Sequence, residues 1–293
     1  MDSRGKDKNT QEYRKKRIKR IKRGIVVLIT ACIVIPTIVS IILMFRIRTL
    51  EQEIRRLSDT KETVQGDANV VKAQVKSPKP SQTPEVTDEK KVYLTFEDGP
   101  SQQTERILDV LKNENVKATF FVIGHTDSYS KRIYRRIVDE GHTLGMHSFS
   151  HIYNELYKSE ESFTNDLVKL QDYLQKVTGV TSMVYRFPGG SGYQGSKVPM
   201  KQLFQVLQKK GISYYDWNVV NGDNTGKQLT KQQMIDNVLK GVEQFPVSMV
   251  QMHDASDKRT TADSIKELIH QLQSEGYSLL PIDEDTTPIR HAE

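Results

Sequence analysis

From residue 91 onward, short apolar runs alternate with helix-like stretches, and this alternation constrains the fold more than any other feature of the chain. The runs lie at 92–96, 118–124, 142–147, 183–187, 212–220, 247–253 and 277–282; the helix-like stretches lie at 104–115, 130–141, 162–179, 198–211, 229–245 and 261–276. Gly141, Gly179, Gly211 and Gly276 close four of these stretches, as helix C-termini favour. Strands separated by helices cannot form tight hairpins, so the pattern predicts a parallel α/β sheet, open or closed into a barrel. In either case chemistry belongs at the C-terminal ends of the strands.

Upstream, Ile25 to Phe45 is twenty-one residues without a charge. As a helix it spans about 30 Å, the hydrocarbon thickness of a bilayer. The flank before it is RKKRIKRIKR, with Arg46 and Arg48 close behind, which predicts a single membrane span with a cytoplasmic N-terminus. No A-x-A-like cleavage site follows, so an uncleaved anchor is expected, with the remainder outside the cell. Ile47, Leu50, Ile54 and Leu57 form a two-heptad stripe, and the Pro-rich run 76–84 reads as an extended spacer. The expected organisation is a basic tail over 1–23, a transmembrane helix over 24–45, a helical stem and linker over 46–90, and a catalytic domain over 91–286.

Charge supports this division. Residues 1–23 hold eleven Lys/Arg against three acids, whereas the rest of the chain holds 32 bases against 34 acids. The net +6 therefore belongs to the tail, and a basic body that binds nucleic acid is excluded. The single cysteine, Cys32, excludes internal disulfides and thiolate metal sites.

Polar residues gather at the expected strand ends: Glu97 and Asp98, His147 and His151, Arg186, Asp223, and His253 with Asp254. Two imidazoles at i and i+4 with a carboxylate from another strand make a nitrogen–oxygen ligand set for a divalent cation, and Asp98, His147 and His151 fit it. Glu97 is a candidate base and His253 a candidate acid, the parts of metal-assisted hydrolysis of an amide or ester. Trp217 and the Tyr214–Tyr215 pair offer aromatic faces, but their place in an apolar run reads as core. Asp254 is expected to stiffen its neighbour His253, and His142 to pack or hydrogen-bond within its own loop.

The segments Thr95–Pro100, His147–His151, Arg186–Gly190, Trp217–Asp223 and Met249–Asp254 resemble, in order and spacing, the five motifs of the polysaccharide deacetylases, the NodB-homology domain of carbohydrate esterase family 4. The resemblance covers about two-thirds of the chain and implies a distorted (β/α) barrel. With the anchor, it implies a membrane-bound peptidoglycan N-acetylglucosamine deacetylase of a bacterium, Gram-positive in type, with N-acetylated glycan as its partner. It further implies that Asp98, His147 and His151 hold zinc, or cobalt or nickel, and that His253 protonates the departing amine. Gly189 would supply an oxyanion-binding N–H, Arg186 would orient the base, and Asp223 would be the carboxylate partner of Arg186.

Two residues depart from that pattern. Glu97 stands where the family has an aspartate base, and one extra methylene displaces the carboxylate by roughly an ångström, a scale that can cost 10²-fold in rate. Gln251 stands where a leucine commonly lines the acetyl pocket, and an unpaired buried amide costs about 1–3 kcal/mol. Two functions follow: a working deacetylase with Glu97 as a displaced base, or an impaired relative that keeps the cation site and binds glycan. Ester hydrolysis would use the same machinery. The resemblance alone predicts that Glu97→Asp raises acetate release.

Overall fold

The protein is described by a computed structural model covering residues 90–293. The tail, the expected transmembrane helix and almost all of the stem and linker lie outside the described residues. Among the described residues no helix is long and apolar enough to cross a membrane.

Eight strands and seven helices alternate: β1 (Lys91–Glu97), α1 (Gln102–Asn113), β2 (Thr119–Ile123), α2 (Ser128–Asp139), β3 (Thr143–Ser148), α3 (Tyr153–Leu156), α4 (Glu160–Thr178), β4 (Val184–Tyr185), α5 (Met200–Lys209), β5 (Ser213–Tyr214), β6 (Val219–Val220), α6 (Lys231–Val242), β7 (Val247–His253), α7 (Arg259–Ser274) and β8 (Ser278–Leu279). Every strand pair is parallel. The order is β5-β4-β3-β2-β1-β7-β6, with β8 beside the start of β1. The expected helices are all present, and the short α3 is added to them. At Gly141, Gly179, Gly211 and Gly276, φ lies between 70° and 82°, the left-handed turn that ends a helix at low cost only for glycine.

The sheet is curled, but no ladder joins β5 to β6, so the barrel is open on one side. The run 212–220, expected as one strand, is two short strands separated by a bend at 215–218. Polar groups cause the break. Tyr215 N still bonds Tyr185 O on β4, whereas Asp216 N turns to Ile289 O and Asn218 N reaches Met249 O on β7. The bend thus carries the chain from one edge of the sheet to the other across the gap.

Alternation along the strands builds two compartments. On β1, Val92, Leu94 and Phe96 face the helices, in one large core with Ile107, Leu108, Ile265 and Leu268 of α1 and α7. Tyr93 and Met249 face the other way and cluster with Phe121, Tyr215 and Ile282. The same parity turns Thr95, Glu97, Gln251 and His253 to that inner side, above the apolar cluster. Gly145 on β3 is required there, because a Cβ would come within 2.6 Å of the Phe121 ring.

Asn218 fastens the bend to β7: its Nδ2 donates to Val247 O at 2.9 Å and its Oδ1 accepts from Met249 N at 2.7 Å. Asn218→Ala is expected to lower unfolding free energy by about 1–2 kcal/mol, measured by denaturant titration, while far-UV circular dichroism is unchanged.

Candidate metal and catalytic centre

The upper rim of the curled sheet brings Asp98, His147 and His151 together. Their ligand atoms lie within 4.8 Å of one another. His147 Nδ1 is 2.7 Å from Arg186 O, a contact that places the ring proton on Nδ1 and leaves the Nε2 lone pair toward the triad. Asp98 Oδ1 is 3.1 Å from His151 Nε2 and 3.6 Å from His147 Nε2, and although buried it accepts no hydrogen bond. An orphaned carboxylate oxygen facing two imidazole nitrogens fits a divalent cation, whose charge would satisfy all three.

Two of these ligands sit on strained backbone. Asp98 has φ 78° and His151 φ 52°, a region non-glycine residues avoid. Each is held by a carboxylate that the sequence reading did not assign to this task, Asp254 buried and Asp166 half-buried. Asp254 accepts from Gly99 N at 2.8 Å and from Thr104 Oγ1 at 2.6 Å, while its own N–H donates to Glu97 O. Its expected support of His253 is therefore replaced by support of the turn after β1. Burial raises its carboxyl to about 7. Asp166 on α4 accepts from Ser148 Oγ, Phe149 N and Ser150 N, and Ser148 Oγ in turn accepts from His151 N. In sequence these two carboxylates look like any helix or loop acid; only their convergence on turn N–H groups identifies them.

Behind the triad lies a second cluster of charges. Glu97 and His253 are only 4% and 3% exposed. Arg186 is fully buried, and its guanidinium donates to Glu97 Oε2 at 3.2 Å, Thr95 Oγ1 at 2.8 Å, Tyr215 O at 3.0 Å and Asp216 O at 2.9 Å. Arg186 thus holds Glu97 as expected, but Asp223 is not its partner. Asp223 accepts from His253 N at 2.9 Å, its Oδ1 is 2.7 Å from His253 Nδ1, and Thr261 Oγ1 donates to Oδ2. Asp223 follows β6, across the open side from β4, so β7 with His253 is the neighbour within its reach.

Glu97 Oε1 is 3.0 Å from His253 Nε2 and accepts from Gln251 Nε2 at 2.8 Å. His253 therefore stands between two carboxylates. Burial pushes the imidazole down, but the hydrogen bonds to Asp223 and Glu97 and both negative charges outweigh it and raise it to about 10. Burial pushes Glu97 up, yet the His253 bond and the charges of His147 and Arg186 hold it well below the usual carboxylate range. At neutral pH the pair is an imidazolium and a carboxylate. Burial lowers the His147 imidazole, which keeps it neutral and able to ligate.

These groups open on a cleft of about 510 Å³, walled by Tyr153, Gly189, Trp217, Val220 and Asn221. Gly189 has φ 80°, and a Cβ there would lie 2.9 Å from the Tyr193 ring, so the loop requires glycine at this position. Trp217 lines the cleft, its ring meeting His291 edge-on at 4.8 Å, whereas Tyr214 and Tyr215 are core, as their run implied. His142 is buried and its Nδ1 accepts from Ala118 N at 3.2 Å, on the adjoining β2 side and not within its own loop.

The His253 value sets a pH dependence. Because it is raised above 6.5, its stabilisation is complete below about pH 6.5 and lost as pH rises toward 10. In chelator, unfolding free energy should fall by on the order of 2 kcal/mol across that window. Asp223→Asn should flatten the fall, because one of the two carboxylates that raise His253 is gone; equal slopes in the two proteins would contradict the pairing.

The family pattern for polysaccharide deacetylases matches residues 85–215. YheN of Bacillus subtilis (strain 168), whose name assigns it to the polysaccharide deacetylases, is 32% identical over 216 residues, 71% of this chain and 72% of that protein. A peptidoglycan-N-acetylglucosamine deacetylase of Bacillus cereus is 32% identical over 189 residues, 63% of this chain and 64% of its own length, so this match spans somewhat less than two thirds of that relative. The crystal structure of the catalytic domain of the peptidoglycan N-acetylglucosamine deacetylase from Eubacterium rectale ATCC 33656 aligns with a TM-score of 0.66 at 35% identity, covering 75% of this chain and 97% of that domain. Sequence identity at this level, a shared curled sheet and the convergence of all five motif segments on one cleft have a single explanation: the chain belongs to the polysaccharide deacetylase family.

Proposed function

We propose that the protein is a divalent-metal-dependent deacetylase that removes N-acetyl groups from N-acetylglucosamine in peptidoglycan. The observation that carries this reading is the Asp98–His147–His151 triad, with its orphaned carboxylate oxygen, set at the mouth of the cleft within reach of a buried carboxylate–imidazolium pair. The relatives above supply the substrate class. Asp98, His147 and His151 would hold the cation, zinc by ligand type with cobalt or nickel as alternatives, and it would supply Lewis-acid polarisation of the acetyl carbonyl and acidification of a water.

The chain's own residues supply the proton transfers. Glu97, ionised and oriented by Arg186, accepts a proton from the attacking water as its oxygen bonds the carbonyl carbon. His253, protonated and oriented by Asp223, delivers a proton to the glycan nitrogen as the C–N bond breaks, leaving acetate and a free amine. Gly189 N–H stabilises the developing oxyanion and Trp217 stacks on a sugar ring, a reading supported by their place in the cleft wall. Attachment to the bacterial membrane by residues 24–45, with the N-terminus cytoplasmic and the wall within reach of the linker, completes the reading; its support is the uncharged stretch and its basic flank.

A second reading is a glycan-binding relative with little turnover, favoured by one contact: base and acid are paired with each other at 3.0 Å, so neither faces the triad unless the pair opens. Acetate release from N-acetylglucosamine oligomers and purified peptidoglycan separates the two. Release is expected with zinc, cobalt or nickel, and is expected to be abolished by chelator and by His147→Ala. Metal binding without release from either substrate would favour the second reading, and release from O-acetylated glycan alone would make the protein an esterase.

A further inference from the structure

Glu97 and Gln251, the two residues that depart from the family pattern, touch each other. In the parallel ladder between β1 and β7, Thr95 pairs with Gln251 and Glu97 with His253. All four side chains point to the same inner face, with residue 251 one step below 253. Neighbouring parallel strands lie about 4.8 Å apart, so an extended glutamine reaches diagonally up to a carboxylate on the adjacent strand. It does so here, with Gln251 Nε2 donating to Glu97 Oε1 at 2.8 Å. Arg186 takes the other oxygen, Oε2, at 3.2 Å. The carboxylate plane is thereby fixed from two sides, and Oε1 is left facing His253 Nε2.

Neither residue can do this with the family's usual partner. An aspartate at 97 ends one methylene short, roughly an ångström nearer its own strand, and cannot keep Arg186 while reaching Gln251 and His253. A leucine at 251 has no donor, and a glutamine there without Glu97 leaves its amide facing a buried charge cluster. We propose that Gln251 is a positioning residue for Glu97 and that the two act as one unit, a matched Glu–Gln pair standing in for an aspartate beside a leucine. This rests on the proposed function insofar as Glu97 is the base. It also revises the expectation drawn from resemblance alone: Glu97→Asp brings a gain only when Gln251 is changed with it.

A double-mutant cycle tests the unit with two independent readouts. The wild-type chain, Glu97→Asp, Gln251→Leu and the double variant are compared for acetate release from N-acetylglucosamine oligomers and, in chelator, for thermal midpoint. Gln251→Leu is expected to lower kcat about tenfold with KM within about twofold, because it disorders the base and not the sugar site. Glu97→Asp is expected to bring no gain in the wild-type background and a gain of about tenfold or more in the Gln251→Leu background. Each single change is expected to lower the midpoint by about 3 °C, and the double variant by clearly less than the sum.

Equal effects of Glu97→Asp in both backgrounds together with additive midpoints would overturn the proposal. Should Gln251→Leu not fold, Gln251→Met, close in shape and lacking the donor, takes its place. If no variant releases acetate, the midpoints decide alone: coupling would uphold the pair while the deacetylase reading fails, and additivity would sink the pair.

Discussion

The centre of this structure is a guanidinium with no access to water. Arg186 is fully buried, and burial at this depth makes a charge costly unless it is paired and hydrogen-bonded. The fold meets that requirement by bringing to it one carboxylate and one hydroxyl from β1 and two backbone carbonyls from the bend after β5, and its cation lies 4.2 Å above the Phe121 ring. Satisfying Arg186 therefore fixes the end of β4, the orientation of Glu97 and the bend that follows β5 at the same time. His253 and Asp223 extend the same alternation of charge, so positive and negative groups run in sequence from the barrel wall to the cleft.

A similar economy holds the cation site. The left-handed backbone at Asp98 and His151 persists because Asp254 and Asp166 collect the N–H groups of the two turns. Both turns are thus supported by acids that do not line the cleft, which leaves the orphaned oxygen of Asp98 facing the two imidazoles. Residues at this centre divide into those presented to the cleft and those that hold the presenting backbone.

Much of this was legible in the sequence. Strand–helix alternation identified the sheet and its helices because the two periodicities differ and glycines mark the helix ends. Asp98, His147 and His151 were found because ligand chemistry restricts residue type and spacing. What escaped was pairing across the curled sheet. The family resemblance implies Asp223 as the partner of Arg186, but the strand order sets Asp223 beside β7, and only the register reveals that neighbour. Asp254 was assigned to His253 because it is adjacent in sequence, although its side chain turns to the β1 loop. The run 212–220 read as one strand because its apolar residues mask Asp216, whose carboxylate accepts from Ser191 N and His291 N and draws the chain out of the ladder. Gln251 looked like a defect in an apolar pocket for the same reason: its acceptor is on another strand.

The open side of the sheet bears on how the molecule behaves in company. An unclosed sheet offers two free edges, and long free edges recruit strands from other chains. Here the edge strands β5 and β6 are two residues each, and the bend and the residues around Ile289 already use neighbouring backbone groups. A passing strand would find almost no ladder to extend. The open side of the sheet is thus kept from becoming a seed for edge-to-edge aggregation.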